Sequence, residues 1–179
     1  MPFLAAAIVL VGALAVVNLL FSFGVIRRLR EHTELLSRRG GPSPAVMTGS
    51  GGVVGEFAAV TVDDEPISND QLAGTTLVGF FSPTCASCAE RVPQFIEYAQ
   101  TQVDRRGQVL AVVAADDEDS GAPLVTQLTN VARVVREADH GPVQAAFAVQ
   151  GFPAVGLVVD GVVRASGFAM SDLTAAAAV

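Results

Sequence analysis

Two cysteines with two residues between them, Cys85-Ala86-Ser87-Cys88, constrain this chain most, because they are its only cysteines and they sit where the sequence changes period. Before them runs Thr75-Thr76-Leu77-Val78-Gly79-Phe80-Phe81, an apolar stretch that reads as a buried strand. After them, Ala89 to Ala99 reads as a helix that places Val92, Phe95, Ile96, Ala99 and Val103 on one face. Strand, short turn, then C-x-x-C opening a helix is what a dithiol catalyst requires. The first thiol lies at a helix N-terminus, where unpaired N–H groups and the dipole favour thiolate. The second lies about one turn further in, within reach of a mixed disulfide formed on the first.

Other uses of the pair fit less well. A structural zinc site takes four ligands, and the chain adds only His32 and His140, far apart in sequence. An inert disulfide closing so short a loop would constrain the unfolded chain little. A redox-active dithiol is therefore the reading of choice.

A second feature lies downstream. Gly151-Phe152-Pro153 precedes the apolar run Ala154 to Val159, and Asp160-Gly161 then leads into Val162 to Ser166. Asp-Gly between two such runs predicts a β-hairpin. Pro153 cannot donate to a ladder, so at the entry to a strand it marks a special turn, with a cis peptide bond expected against the alternative of an ordinary loop proline.

Taken together, Phe81 to Cys88, Pro93 and Gly151-Phe152-Pro153 before a hairpin resemble the thioredoxin fold, an α/β architecture with a central mixed sheet flanked by helices. More narrowly they are similar to the membrane-anchored TlpA-like reductases, with the Ser-Pro-Thr-Cys lead-in similar to the MauD-like group. Gly55 to Ser68 and Asp70 to Gly74 are similar to the N-terminal hairpin and short helix of that family, so the resemblance spans roughly residues 54 to 170. It implies Cys85 as the attacking cysteine and Cys88 as the resolving one. It also implies Pro153 as a cis-proline beside the active disulfide, Phe152 as backbone partner of a bound substrate strand, and Thr84 as a neighbour of that substrate. Pro93 would kink the active-site helix, a structural role that follows from its missing N–H and its ring. Protein thiols and disulfides are the implied substrates, with a further redox partner to recycle the dithiol and no cofactor.

The chain also departs from thioredoxin. It has no tryptophan, and Thr84 occupies the position before the first cysteine. Gly79 stands where thioredoxin keeps a buried aspartate for proton transfer. Water, Glu90 or Glu97 would have to serve instead, although helix carboxylates of this kind are mostly solvated charges. Ala86-Ser87 replaces Gly-Pro, and because these residues tune the potential, the direction of electron flow is left open. Two alternatives share the fold. A peroxiredoxin-like peroxide reductase would show Pro-x-x-x-Thr/Ser-x-x-Cys, which is absent around both cysteines. A thioredoxin-like copper chaperone normally spaces its cysteines by three residues and adds a histidine, which would have to be His140.

The rest of the chain reads as anchor, linker and one domain, at 1–26, 27–53 and 54–179. Pro2 to Ile26 carries no charge and is long enough to span a bilayer, so a single-pass transmembrane anchor is expected in preference to a cleaved signal peptide. Five of the eleven basic residues follow at once, between Arg27 and Arg39. Ile26, Leu29, Thr33 and Leu36 there keep a spacing that could seed a parallel dimer, but over less than two heptads a monomeric helix lying on anionic lipid is the preferred reading. Gly40 to Gly52 reads as a flexible linker. After residue 53 sixteen acidic residues face six basic ones, a formal charge of −10, which argues against nucleic acid as partner. Asp116-Asp117-Glu118-Asp119 reads as a solvated strand-to-helix turn after the strand Val109 to Ala114, since it lacks the glycine and distal glutamate of a calcium loop. A helix over Gly121 to Asn130, a strand over Val131 to Val135, a helical turn over Gly141 to Val149 and a last helix capped by Ser171 complete the expected fold.

Two rules disagree on sidedness. The arginine flank assigns the domain to the cytoplasm by the positive-inside rule. The family resemblance implies the extracytoplasmic side, which is the expectation adopted.

Overall fold

The computed structural model describes residues 12, 45–102 and 106–177. The expected anchor apart from Gly12, the basic stretch 27–39 with its dimer seam, the first part of the linker and Val103 lie outside the described residues. Among the described residues no helix is long and apolar enough to cross a membrane.

Seven strands and four helices follow one another from residue 58. Ala58–Val60 (β1) and Pro66–Ser68 (β2) form an antiparallel pair, followed by a 3-10 turn at Asn69–Gln71. Thr75–Phe81 (β3) leads into Ala86–Gln102 (α1), then Val109–Ala114 (β4), Glu118–Leu128 (α2) and Arg133–Glu137 (β5). Pro142–Ala146 (α3), Ala154–Val159 (β6), Val162–Gly167 (β7) and Met170–Ala177 (α4) complete the order. The main sheet runs β5-β4-β3-β6-β7, parallel from β3 to β5 and antiparallel from β3 through β6 to β7.

Sheet and helices bury side chains on both faces, which is why β3 and β4 read as unbroken apolar runs. Leu77, Phe81, Val109, Ala111 and Val113 point into a core shared with Val92, Phe95 and Ala99 of α1, with α2 and with α4. Val78, Phe80, Leu110 and Val112 point the other way, onto α3, the β1–β2 hairpin and the N-terminal segment. The Asp160-Gly161 hairpin forms as the sequence predicts, with φ of 49° and 75°, the two positive values a tight hairpin requires. Its Asp160 carboxylate accepts the Gly74 N–H at 2.7 Å, tying the hairpin to the start of β3.

Several boundaries differ from expectation. The α2 helix starts at Glu118, three residues early, because the Asp117 carboxylate accepts the Ser120 N–H at 2.8 Å and caps it. The acidic run is thus a capped strand-to-helix turn. The β5 strand starts at Arg133, because Val131 and Ala132 donate to the Leu128 carbonyl and still belong to the helix end. The last helix begins before Ser171. Asp172 caps it, accepting the Phe168 and Ala169 N–H groups at 2.9 and 3.0 Å.

The largest difference is at the domain's start. Residues 45–53 pack as part of the domain, with Val46 and Met47 buried. The β7 strand ends the sheet, and its open edge needs hydrogen-bond partners. Gly51 donates to the Val163 carbonyl, Val163 donates back to Gly52, and Val53 bridges Val162. A Gly/Ser-rich stretch that reads as linker is thereby an ordered strap over the sheet edge.

Candidate active site

The site is built where β3 runs out. Its last pairing, Phe80 with Ala154, places the end of β3 and the beginning of β6 at the same end of the sheet. From Phe81 the chain turns through Ser82-Pro83-Thr84 into α1. The Cys85 N–H donates to the Ser82 carbonyl at 3.2 Å, and the Ser82 and Thr84 hydroxyls are 3.0 Å apart.

Cys85 immediately precedes the first residue of α1, in the cap position. Its sulfur takes the part usually played by a capping oxygen, accepting the Cys88 N–H at 3.2 Å. The Ser87 hydroxyl lies 3.3 Å from the same sulfur. Burial alone would raise this thiol, but the hydrogen bonds from the side chains and backbone of Cys88 and Ser87 outweigh it and hold the Cys85 pKa below 9.0. Cys88 is the opposite case. It is 1 % exposed and packs in the core that holds Phe81, Val92 and Phe95. Burial first, then the hydrogen bond and charge of Cys85, push its thiol up to about 12, against a lowering contribution from the Ser82 backbone. Both cysteines are free thiols, one partly exposed and one buried. The outer sulfur is thus the more readily ionised of the two, and the inner one stays a thiol.

The Phe152–Pro153 bond is cis, as expected. Pro153 is buried directly before β6, while Phe152 is partly exposed. Phe152 packs against the same core as Cys85 and Cys88 and shares a groove with Thr84, Ser82, Pro83, Asp116 and Asp139. Thr84, next to Cys85 in the chain, and Phe152 therefore line one groove, and both cysteines and Phe152 pack on the same core. Glu90 and Glu97 do not join them. Both are exposed, and Glu97 lines a separate groove with Tyr98 and Met170. His140 is exposed on the turn before α3, where its backbone N–H donates to the Asp139 and Gln144 side chains.

The missing acid has a packing explanation. A Cβ at Gly79 would lie 2.6 Å from Phe95 Cε2 and 2.8 Å from Phe81 Cε2, so aromatic rings occupy the space that an acid would take. These rings meet edge to face, with centroids 5.2 Å apart. The contribution of Ser87 goes beyond the sequence reading, although a hydroxyl two residues after a cap position is a legible signal for it.

Replacing Ser87 by Ala removes one of the groups that lower Cys85. The expected result is a Cys85 pKa shifted upward and slower alkylation by iodoacetamide at neutral pH, with the rate recovering as pH rises. An unchanged pH profile of alkylation would refute the Ser87 contribution.

No known family's sequence profile matches the chain, and no curated protein sequence does. Solved structures do. The thioredoxin domain of a thiol-disulfide oxidoreductase from Bacteroides vulgatus superposes with a TM-score of 0.59 at 19% identity, over 73% of this chain and 96% of that one. A thiol:disulfide interchange protein from Bacteroides sp. gives 0.57 at 21% identity, over 73% and 87%. A secreted Mycobacterium tuberculosis disulfide oxidoreductase homologous to E. coli DsbE gives 0.54 at 21% identity, over 69% and 96%. With the mixed five-stranded sheet, the helix opening on the dithiol and the cis-proline before β6, the chain has the thioredoxin fold.

Proposed function

We propose that this chain is a membrane-tethered thiol–disulfide oxidoreductase of the TlpA-like or MauD-like kind, exchanging disulfides with protein substrates. The observation that carries the reading is the asymmetry of the thiols. Cys85 is accessible, its sulfur hydrogen-bonded and its pKa lowered, while Cys88 is buried and held protonated. In the reducing direction the Cys85 thiolate attacks a substrate disulfide, and one substrate thiolate leaves. Cys88 then gives up its proton, attacks the Cys85 sulfur and expels the second substrate thiolate. The substrate gains two electrons and two protons, and the chain is left with a Cys85–Cys88 disulfide. In reverse the same pair donates a disulfide, and a second dithiol protein restores the starting state. Phe152 and Pro153 receive the substrate segment, with Thr84 at its flank.

The tether is the uncharged stretch 2–26, and the domain works on the extracytoplasmic side. Support for that side is a secreted protein among the structural neighbours; the arginines at 27–39 weigh against it.

The full chain is expected to accelerate reduction of insulin disulfides by dithiothreitol, and the reduced chain to show no tight binding in a copper titration. Tight stoichiometric copper binding without insulin reduction would sink the proposal. In intact cells a membrane-impermeant maleimide is expected to label Cys85 after mild reduction. Labelling only by a permeant maleimide would place the domain in the cytoplasm.

A further inference from the structure

Residues 45–55 do more than close the edge of β7. They also grip the chain just before Phe152. Thr48 donates twice to the Phe147 carbonyl, from its N–H and from its hydroxyl, both at 2.8 Å. The Gln150 N–H donates back to the Val46 carbonyl at 2.8 Å, two residues before Phe152. Gly55 donates to the Ala146 carbonyl at 2.8 Å. Between these ties Met47, 1 % exposed, lies against the inner face of β6, its Cε 3.1 Å from where a Cβ on Gly156 would stand. The same loop is braced from the other side. The Glu137 carboxylate accepts the Val143 and Gln144 N–H groups at the start of α3, and Gln144, itself buried, also donates to Glu137 through its side chain.

We propose that residues 45–55 are a positioning strap for the Phe152–Pro153 loop, needed for reaction with protein disulfides but not with small ones. This rests on the redox reading above. Gly151 has no contact within reach of a Cβ, so the segment after Gln150 has no side-chain anchor until Phe152. Its direction is set by backbone ties: the strap supplies those at Phe147 and Gln150, beside a local one from the Val149 N–H to the Gln144 carbonyl at 3.0 Å. Phe152 forms a wall of the groove beside Thr84, which a polypeptide flanking a disulfide must meet. A small disulfide needs only the Cys85 sulfur. Loosening the loop therefore weakens docking of a protein substrate and leaves thiolate chemistry alone.

The test uses the full chain. Thr48→Val removes one tie while keeping side-chain shape, and Met47→Ala removes the buried anchor. Leu128→Ala, a buried residue on α2 away from the loop, is the control for general destabilisation. For insulin, KM is expected to rise severalfold in Thr48→Val and about tenfold in Met47→Ala, while the rate with a small aromatic disulfide stays within about twofold. Leu128→Ala is expected to lower Tm without changing KM for insulin. Hydrogen exchange across residues 146–153 is expected to quicken in Met47→Ala and not in Leu128→Ala. Unchanged KM in both strap variants, or equal losses with insulin and the small disulfide, would overturn the proposal. A wild-type chain that exchanges with neither disulfide would overturn the redox reading and the strap with it. An active wild type whose strap variants keep the wild-type KM for insulin overturns the strap alone.

Discussion

Cys85→Ser is expected to lower insulin reduction by roughly a thousandfold or more, because a serine hydroxyl without a neighbouring base is a poor nucleophile at neutral pH. Among the described residues no histidine is placed to act as that base: His140 sits exposed on the turn before α3. Cys88→Ser is expected to fail differently. Cys85 keeps the Cys88 backbone N–H and the Ser87 hydroxyl as partners, so the first attack proceeds. Resolution does not, and a covalent adduct between the chain and its substrate accumulates, visible by mass and reversed by dithiothreitol. The order of exposure makes the same prediction for alkylation. A bulky reagent reaches Cys85 and spares Cys88, which is 1 % exposed. The pH dependence has a definite sign. Alkylation of Cys85 persists below pH 9.0 and falls away only as pH drops through its lowered pKa, whereas Cys88 stays a thiol until pH approaches about 12. Equal alkylation of both cysteines near neutrality, or activity surviving in Cys85→Ser, would contradict the assignment of roles.

The parts of this fold that the sequence discloses are those fixed by local chemistry. β3 is readable residue for residue, because both its faces are buried and Gly74 and Ser82 bracket it. The Asp160-Gly161 turn and the cis-proline are legible for the same reason: few residues tolerate those backbones. The strap at residues 45–53 is invisible, because its three glycines and single serine carry no periodicity and its partners, Phe147 and Val163, lie about a hundred residues away. Asp172 displaces Ser171 as cap through a carboxylate reaching back to Phe168, a geometry that composition does not reveal. At the site, the cysteines announce themselves, but Ser87 Oγ against Cys85 Sγ is a matter of rotamer. Gly79 stands out in sequence as a missing acid, and only the packing explains it.

That packing makes the reverse substitution costly. Gly79→Asp, which would restore thioredoxin's acid, is expected to destabilise the domain by about 4 kcal/mol or more. Two effects combine. A Cβ alone lies under 3.0 Å from both Phe81 and Phe95, so even Gly79→Ala is overpacked and should cost about 1–3 kcal/mol. The carboxyl group then enters an apolar core with no partner among Leu77, Phe81, Val92 and Phe95. Its folded-state pKa is raised above the unfolded value of about 3.9, so its penalty is smallest in acid and grows as pH rises past that value. Urea unfolding of wild type, Gly79→Ala and Gly79→Asp at two pH values measures both effects. The cause is isolated by Phe95→Ala, which by itself opens a cavity costing about 3–5 kcal/mol. If the rings fill the acid's place, Gly79→Asp with Phe95→Ala must cost less than the two single changes added together. Additive losses would mean that Phe95 is not what excludes an acid from this position, and the resolving cysteine would then lack its acid for a reason other than packing.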